Sequence, residues 1–130
     1  MAAEVKVEDS ILLSTKKALG IEPSMVHFDL DIIMCINSAL NVLTQLGVGP
    51  VKGFSISSQD ETWDQLTGGD PRLNMVKSYV ALKTKMVFDP PSGNAVIESY
   101  KEQIKEYECR LNYQVDPEYT FDEEVETDDD

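Results

Sequence analysis

Histidine and cysteine, the side chains that most often act as catalytic bases, nucleophiles or zinc ligands, are scarce in this chain. Its 130 residues include one histidine, His27, and two cysteines, Cys35 and Cys109. A catalytic serine or cysteine needs a neighbouring base, and a structural zinc site needs four ligands. We therefore expect no enzyme, no cofactor and no bound metal. Two distant cysteines do not make a disulfide framework, and we expect both to stay reduced.

Long apolar segments and basic charge are also lacking. The longest uninterrupted apolar run is Ile32–Ile36, far shorter than the roughly 20 residues that span a bilayer. The opening MAAEVKVEDS does not have the character of a signal peptide. We expect a soluble protein, made in the cytoplasm, with no membrane partner. With 24 acidic and 11 basic residues the net charge is -13, which disfavours nucleic-acid binding through phosphate neutralisation.

Acidic residues are concentrated at the C-terminus. The segment from Asp116 to Asp130 holds nine acids and no base, which leaves 15 acids against 11 bases in residues 1–115. We therefore divide the chain into a folded domain, 1–115, and an acidic tail, 116–130. Such a tail is too charged to form its own core. Either it is a solvated, disordered terminus, or Tyr119, Phe121 and Val125 are anchors that order on a partner.

In several stretches of the remaining chain, apolar residues recur at helical spacing, and turn residues separate one stretch from the next. The pattern predicts an all-α fold, a small bundle of four main helices and one short helix. The predicted elements are ILLSTKKALG (11–20) after an Asp9 or Ser10 cap, Leu30–Leu46, a short helix with Trp63 and Leu66 behind a Ser58–Glu61 capping box, Arg72–Phe88 after Asp70-Pro71, and a last helix from Ser92 or Asn94 to Tyr113.

The stretch HFDLDIIMC holds several potential ligands close together. His27, Asp29 and Asp31 resemble a metal site, but on a helix the two aspartates point in different directions. We interpret Asp29 as the N-cap of the second helix instead. Cys35 falls in the apolar arc of that helix and is predicted to face the core, whereas Cys109 lies off the apolar stripe of the last helix and is predicted to be accessible.

Three other features have more than one interpretation. The glycine-rich segment 47–59, with an extended piece at 54–56, misses the spacing of phosphate-binding loops, so we expect a surface loop that contacts a neighbouring subunit. Trp63 is either a core side chain or a binding platform. Lys83 lies in the middle of an apolar helix face: either its stem covers apolar surface while the ammonium reaches water, or it meets a carboxylate across a subunit contact.

Several linked stretches resemble a known family. They are ILLSTKKALGIEPSMVHFDLDIIMCINSALNVLTQLGVGP, then GFSI, ETWDQL, DPRLNMVKSYVALKTKMVFDPP and IKEYECRLN, which together cover about residues 8–113. This order is similar to the head-to-tail connector proteins (adaptor or head-completion proteins) of long-tailed bacteriophages.

The resemblance implies a homo-oligomeric ring, usually twelve-fold, in the virion neck. Its partners would be the portal protein and a stopper or tail-completion protein, and DNA would pass through the lumen without specific binding. It implies no catalytic residues, and it does not extend to the acidic tail. The candidate interaction residues come from the composition instead: Lys83 in its apolar helix face, and Tyr119 and Phe121 in the tail.

Two other functions are compatible with so acidic a chain. One is a phage inhibitor that mimics DNA, but mimicry requires ordered rows of acids on a rigid surface, whereas here many acids lie in the tail. The other is a general adaptor with no role in the virion.

Overall fold

A computed structural model describes residues 5–116. Five α-helices follow one another: α1 (Ile11–Ala18), α2 (Asp29–Gln45), α3 (Trp63–Thr67), α4 (Met75–Phe88) and α5 (Asn94–Val115), with a 3₁₀ helix, Pro71–Leu73, before α4. The described residues form no β-strand, only an isolated bridge between Ser10 and Thr62. The predicted all-α fold, with four main helices and one short helix, is confirmed.

Helix α1 begins at Ile11, as predicted, and ends at Ala18, two residues before the predicted Gly20. Of the two predicted caps, Ser10 is the one used, and its hydroxyl oxygen accepts a hydrogen bond from the Leu13 N–H at 3.1 Å. After the helix, Gly20 has a left-handed φ of 81° and the Ile21 N–H reaches back to the Lys16 carbonyl at 2.9 Å. This is a Schellman-type ending, which glycine allows at little steric cost.

Helix α2 differs from its prediction at the N-terminus. It begins at Asp29, Phe28 occupies the N-cap position, and no side chain caps the helix. The predicted Asp29 cap is therefore wrong, because this carboxylate forms an ion pair with a distant lysine instead. Of the six residues predicted to form its apolar arc, Leu46 is half-buried and the other five are buried: Ile32, Ile36, Ala39, Leu40 and Leu43.

The capping box of α3 lies four residues later than predicted. Thr62 caps the helix and Gln65 completes the box. Glu61 does accept hydrogen bonds from the N–H groups of Ser57 and Ser58, at 3.0 and 3.2 Å, but it closes a turn before the helix. Partial burial by itself raises the pKa of the Glu61 carboxyl group. The hydrogen bonds that it accepts have a larger combined effect, so the pKa of Glu61 is lowered.

The predicted third long helix is two elements. Asp70 accepts a hydrogen bond from the Arg72 N–H at 2.9 Å and Pro71 is the first helical residue, as expected, but only a 3₁₀ turn follows. The regular helix α4 begins at Met75. A turn of 3₁₀ helix is a common way for a chain to enter an α-helix.

Helix α4 is the centre of the bundle and packs against α1, α2 and α5. Tyr79, Val80 and Val76 are its fully buried apolar residues, and Leu111 joins them from α5. Trp63 is also buried, and its indole N–H donates to the Ser14 hydroxyl at 2.8 Å. Trp63 is therefore a core side chain that closes the bundle beside α1.

Helix α5 buries only part of the apolar stripe that the sequence predicts for it, which is Val96, Ile97, Tyr100, Ile104, Tyr107 and Leu111. Its C-terminal half packs on the core through Ile104, Tyr107 and Leu111, whereas Val96 near its start is 43% exposed. The amide of Asn112 donates to the Leu46 carbonyl at 2.8 Å, which ties the end of α5 to the end of α2.

The loop between α2 and α3 is held mainly by side chains. The predicted extended piece at 54–56 is not a strand; instead, the amide of Asn37 accepts from the Ile56 N–H at 2.8 Å and donates to its carbonyl at 3.0 Å. Gly49 has φ of 91°, and a Cβ there would lie 2.9 Å from Leu66 Cδ1. Glycine thus lets the loop pass close to α3.

Candidate interaction surfaces

A buried ion pair fixes the connection between α1 and α2. The Lys16 side chain is fully buried, its Nζ lies 2.8 Å from Asp29 Oδ1, and it donates to the Pro23 carbonyl at 3.0 Å. The Asp29 side chain is 25% exposed. A buried ammonium needs such partners because desolvation of the charge is costly. Lys16 therefore joins α1, the connecting loop and the first turn of α2.

The loop held by Lys16 exposes apolar side chains to solvent. We define the α2 ridge as Met25, Val26, Phe28, Leu30 and Met34, which are each between 38% and 70% exposed. Leu30 and Met34 are four residues apart and share one face of α2. Because a large part of each side chain stays in contact with solvent, the loop and the first turns of α2 present an apolar surface.

Aromatic contacts anchor one end of the ridge. The Phe28 ring meets the Phe88 ring edge-on at 5.5 Å and the His27 ring at 4.8 Å. His27 is thus part of an aromatic contact. Within residues 5–116, no group of three or more His, Cys, Asp or Glu residues could hold a metal ion.

A groove runs between α1 and α4. We define the α1–α4 groove by its lining residues, which are mostly small: Ser14, Thr15, Ala18, Trp63, Lys77, Ser78 and Ala81. Its volume is about 240 Å³, which exceeds the roughly 150 Å³ of an apolar cavity that binds a benzene ring. The groove can therefore accept one or two aliphatic side chains.

Lys83 meets a carboxylate of its own chain. Its Nζ lies 3.9 Å from Glu108 Oε2 and 5.9 Å from the centre of the Tyr79 ring. The Tyr79 hydroxyl donates to the same Glu108 oxygen at 2.7 Å. Burial, with the Glu108 carboxylate as a further cause, raises the pKa of Tyr79 far above its usual value. The acidic partner of Lys83 therefore lies on α5, and a role in subunit contact stays a prediction.

A second, larger cavity lies between α2 and the following loop. It has a volume of about 550 Å³ and is lined mainly by polar groups, among them Asn37, Asn41, Ser38 and Lys52. Its Met34 edge is shared with the α2 ridge. The predicted surface loop thus forms one wall of an open polar cleft.

Both cysteines are half-buried thiols. Cys35 is not part of the core, contrary to prediction, because it lies at the edge of the α2 arc rather than at its centre. Partial burial and the nearby Asp31 charge raise the pKa of the Cys35 thiol. Cys109 is less accessible than predicted, because it lies on the half of α5 that packs against the bundle.

Two predicted interaction residues, Tyr119 and Phe121, lie outside the described residues, as does the rest of the tail after Asp116. The predicted boundary between 115 and 116 remains a prediction. Among the described helices, none has the length and apolar character needed to cross a membrane. The sequence pattern missed the ridge, although Leu30 and Met34 stand outside the core arc of α2.

These observations define a class of protein. The chain is a small helical domain with an exposed apolar ridge and a groove of mostly small side chains, features that are typical of surfaces that contact other proteins. Over residues 11–118 the chain matches the family described as phage connector protein. The chain belongs to this family, as its resemblance indicated, and the family assignment indicates a structural role between phage head and tail. No curated protein and no solved structure matches the chain.

Proposed function

We propose that this protein is a subunit of a ring in the virion neck that joins the capsid portal to a stopper or tail-completion protein. The ring would hold twelve copies. The observation that carries the proposal is the family match over residues 11–118, which includes nearly all of the described bundle. The exposed apolar ridge supports it, because an isolated monomer gains nothing from holding this surface in place.

DNA would pass through the ring without binding to it. Residues 5–116 hold 15 acidic and 11 basic residues, so the body of each subunit is moderately negative. A negative wall repels the phosphate backbone and lets the duplex slide. The protein would act by geometry and charge alone, with no catalysis and no cofactor.

The acidic tail would serve as an attachment segment. Tyr119 and Phe121 would enter a groove on the portal or a neighbouring subunit, and the surrounding acids would face basic side chains there. Removal of residues 117–130 should leave helix content and melting temperature nearly unchanged but weaken attachment to the portal. Tyr119→Ala with Phe121→Ala should weaken it more than neutralisation of Asp128–Asp130. Wild-type attachment of the truncated protein would show that the tail is only a solvated end.

The alternative of a DNA mimic is less well supported. Mimicry needs acids free to meet a basic enzyme surface, and at least six of the 15 acids in residues 5–116 lie in ion pairs with lysine or arginine. No feature of the described bundle favours this alternative.

The proposal can be tested in the phage that encodes the chain. A stop codon early in the gene should give filled heads and free tails that do not join, and a plasmid copy should restore particles. In complemented particles, an antibody against the chain should label the neck in cryo-electron micrographs. Normal yields of joined particles without the protein would overturn the proposal.

A further inference from the structure

We propose that the α2 ridge of one copy docks into the α1–α4 groove of a second copy, so that subunits join head to tail. This inference rests on the proposed ring and names the two surfaces that form it. Ridge and groove belong to different parts of the bundle surface. When a ridge docks into a groove, the resulting pair still has one free groove and one free ridge. Further copies can therefore add in the same way until the ring closes.

The shapes of the two surfaces are complementary. The ridge projects aliphatic side chains, Leu30 and Met34, from one face of α2. The groove is lined by small side chains such as Ser14, Ala18 and Ser78, together with Trp63. Its volume of about 240 Å³ suits one or two such aliphatic side chains. Packing a projecting row into a groove is how helices normally associate.

The charges beside the two surfaces are opposite. Residues 18–51, which include the whole ridge, contain no lysine or arginine, and the exposed Asp31 shares a face of α2 with Met34. Lys77 lines the groove, is exposed, and forms no ion pair within residues 5–116. The ridge of a second copy supplies both the aliphatic side chains that the groove can take and, in Asp31, an acid for Lys77. The occupant of the groove is therefore the ridge of another copy.

The ridge is also positioned in advance. Lys16 holds the loop through Pro23 and Asp29, and Phe28 rests against Phe88. A surface already in its bound conformation loses little conformational entropy on association. The buried ion pair thus has a use in assembly as well as in the fold.

The test uses the full chain and sedimentation velocity at protein concentrations up to about 1 mM. Leu30→Asp places a charge on the ridge and keeps the groove intact. Ala18→Trp fills the groove and keeps the ridge intact. Each variant alone should associate at least tenfold more weakly than the wild type, because a buried leucine contributes at least that factor. Mixed together, they should form a 1:1 dimer and no larger species, because one intact ridge meets one intact groove.

Charge exchange gives an independent measurement. Asp31→Lys and Lys77→Glu should each weaken self-association, and the double variant should recover most of it. Val51→Asp is the matched control, since Val51 is 97% exposed on the loop after α2 and lies outside both surfaces. Circular dichroism should show unchanged helix content in every variant.

Several outcomes would overturn the inference. They are a wild type that stays monomeric throughout, a Leu30→Asp variant that associates normally, or a mixture of the two disabled variants that stays monomeric. Loss of portal binding alone in Leu30→Asp would assign the ridge to the portal instead. A chain found in the neck without ridge-dependent association would refute this inference but not the proposed function. Ridge-dependent association of a chain absent from the neck would refute the proposed function only.

Discussion

Replacement of Asp29 tests whether this residue stabilises the start of α2 as a helix cap or as the ion-pair partner of Lys16. If Asp29 were a helix cap, Asp29→Ala would lower the free energy of unfolding by about 1 kcal/mol. In the structure its carboxylate faces the buried Lys16 ammonium at 2.8 Å, and removal of one partner of a buried ion pair costs about 3–5 kcal/mol. Because the Asp29 side chain is 25% exposed, water can enter its place in the variant and partly solvate the Lys16 ammonium. We expect a loss of about 3 kcal/mol, at the low end of this range.

The reciprocal change should be much milder. Lys16→Met keeps an unbranched side chain in the core and removes the buried charge, while the carboxylate left behind can reach solvent. We expect a loss of about 1 kcal/mol, because methionine cannot donate the hydrogen bond that Lys16 gives to the Pro23 carbonyl. In the Lys16→Met background, Asp29→Ala should then cost less than about 1 kcal/mol, because no buried ammonium is left without a partner.

Urea unfolding monitored by circular dichroism measures all four proteins of this cycle. For a domain of about 100 residues, 1 kcal/mol corresponds to about 4 °C, so Asp29→Ala should lower the melting temperature by about 12 °C. Asp31→Ala, two residues along the same helix, is the matched control and should change stability by less than about 0.5 kcal/mol. An equal loss for Asp29→Ala with and without Lys16 would refute the ion-pair account and restore the cap.

Three further changes test other contacts. Tyr79→Phe removes a hydrogen bond to a carboxylate and should lower the free energy of unfolding, measured by urea titration, by about 1.5–2 kcal/mol. The wild type should also lose stability above about pH 10, because there Tyr79 ionises in the unfolded chain but not in the folded one. This loss at high pH should be smaller in Tyr79→Phe. Asn37→Ala should speed hydrogen exchange at the Ile56 amide by at least tenfold, whereas an unchanged rate would mean that other contacts hold the loop. With the other cysteine replaced by serine, Asp31→Asn should speed alkylation of Cys35 at pH 8, because it lowers the thiol pKa; equal rates would leave burial as the sole cause.

The sequence predicted those parts of the fold that depend on local spacing. The buried face of α2 follows from its 3.6-residue period, and the ends of α1 follow from Ser10 and Gly20. These residues act on their immediate neighbours, so a reading of adjacent positions is enough. For the same reason the bundle and its helix count were predictable.

Contacts between residues that are distant in the sequence explain why two predicted helix caps, at Asp29 and at Ser58 with Glu61, were wrong. Asp29 satisfies the local rule for a cap, but it lies 13 residues after Lys16, and packing of α1 beside α2 brings the two together. Nothing near Lys16 distinguishes it from an ordinary lysine in the last turn of a helix. Likewise, Ser58 and Glu61 have capping-box spacing, but the chain uses Thr62 and Gln65 because Trp63 must enter the core.

The candidate surfaces were only partly predictable. Lys83 was identified because it interrupts an apolar face, yet its partner Glu108 is 25 residues away on another helix. Leu30 and Met34 were assigned no role, since sequence alone does not show which side of a helix has no neighbour. The groove is formed by two helices and a tryptophan between them, so no single segment encodes it.

The hydrogen bond from Asn112 to the Leu46 carbonyl can form only late in the synthesis of the chain. The two residues are 66 positions apart, and ribosomes add about 5–20 residues per second. Leu46 therefore exists for roughly 3–13 s before Asn112 is even made. During this interval the end of α2 has no cap from α5, and the place that Leu111 fills on the core is open. Helix α5, the last helix to be translated, closes the bundle, so a ribosome that stops before it releases a chain whose apolar interior is exposed to chaperones and proteases.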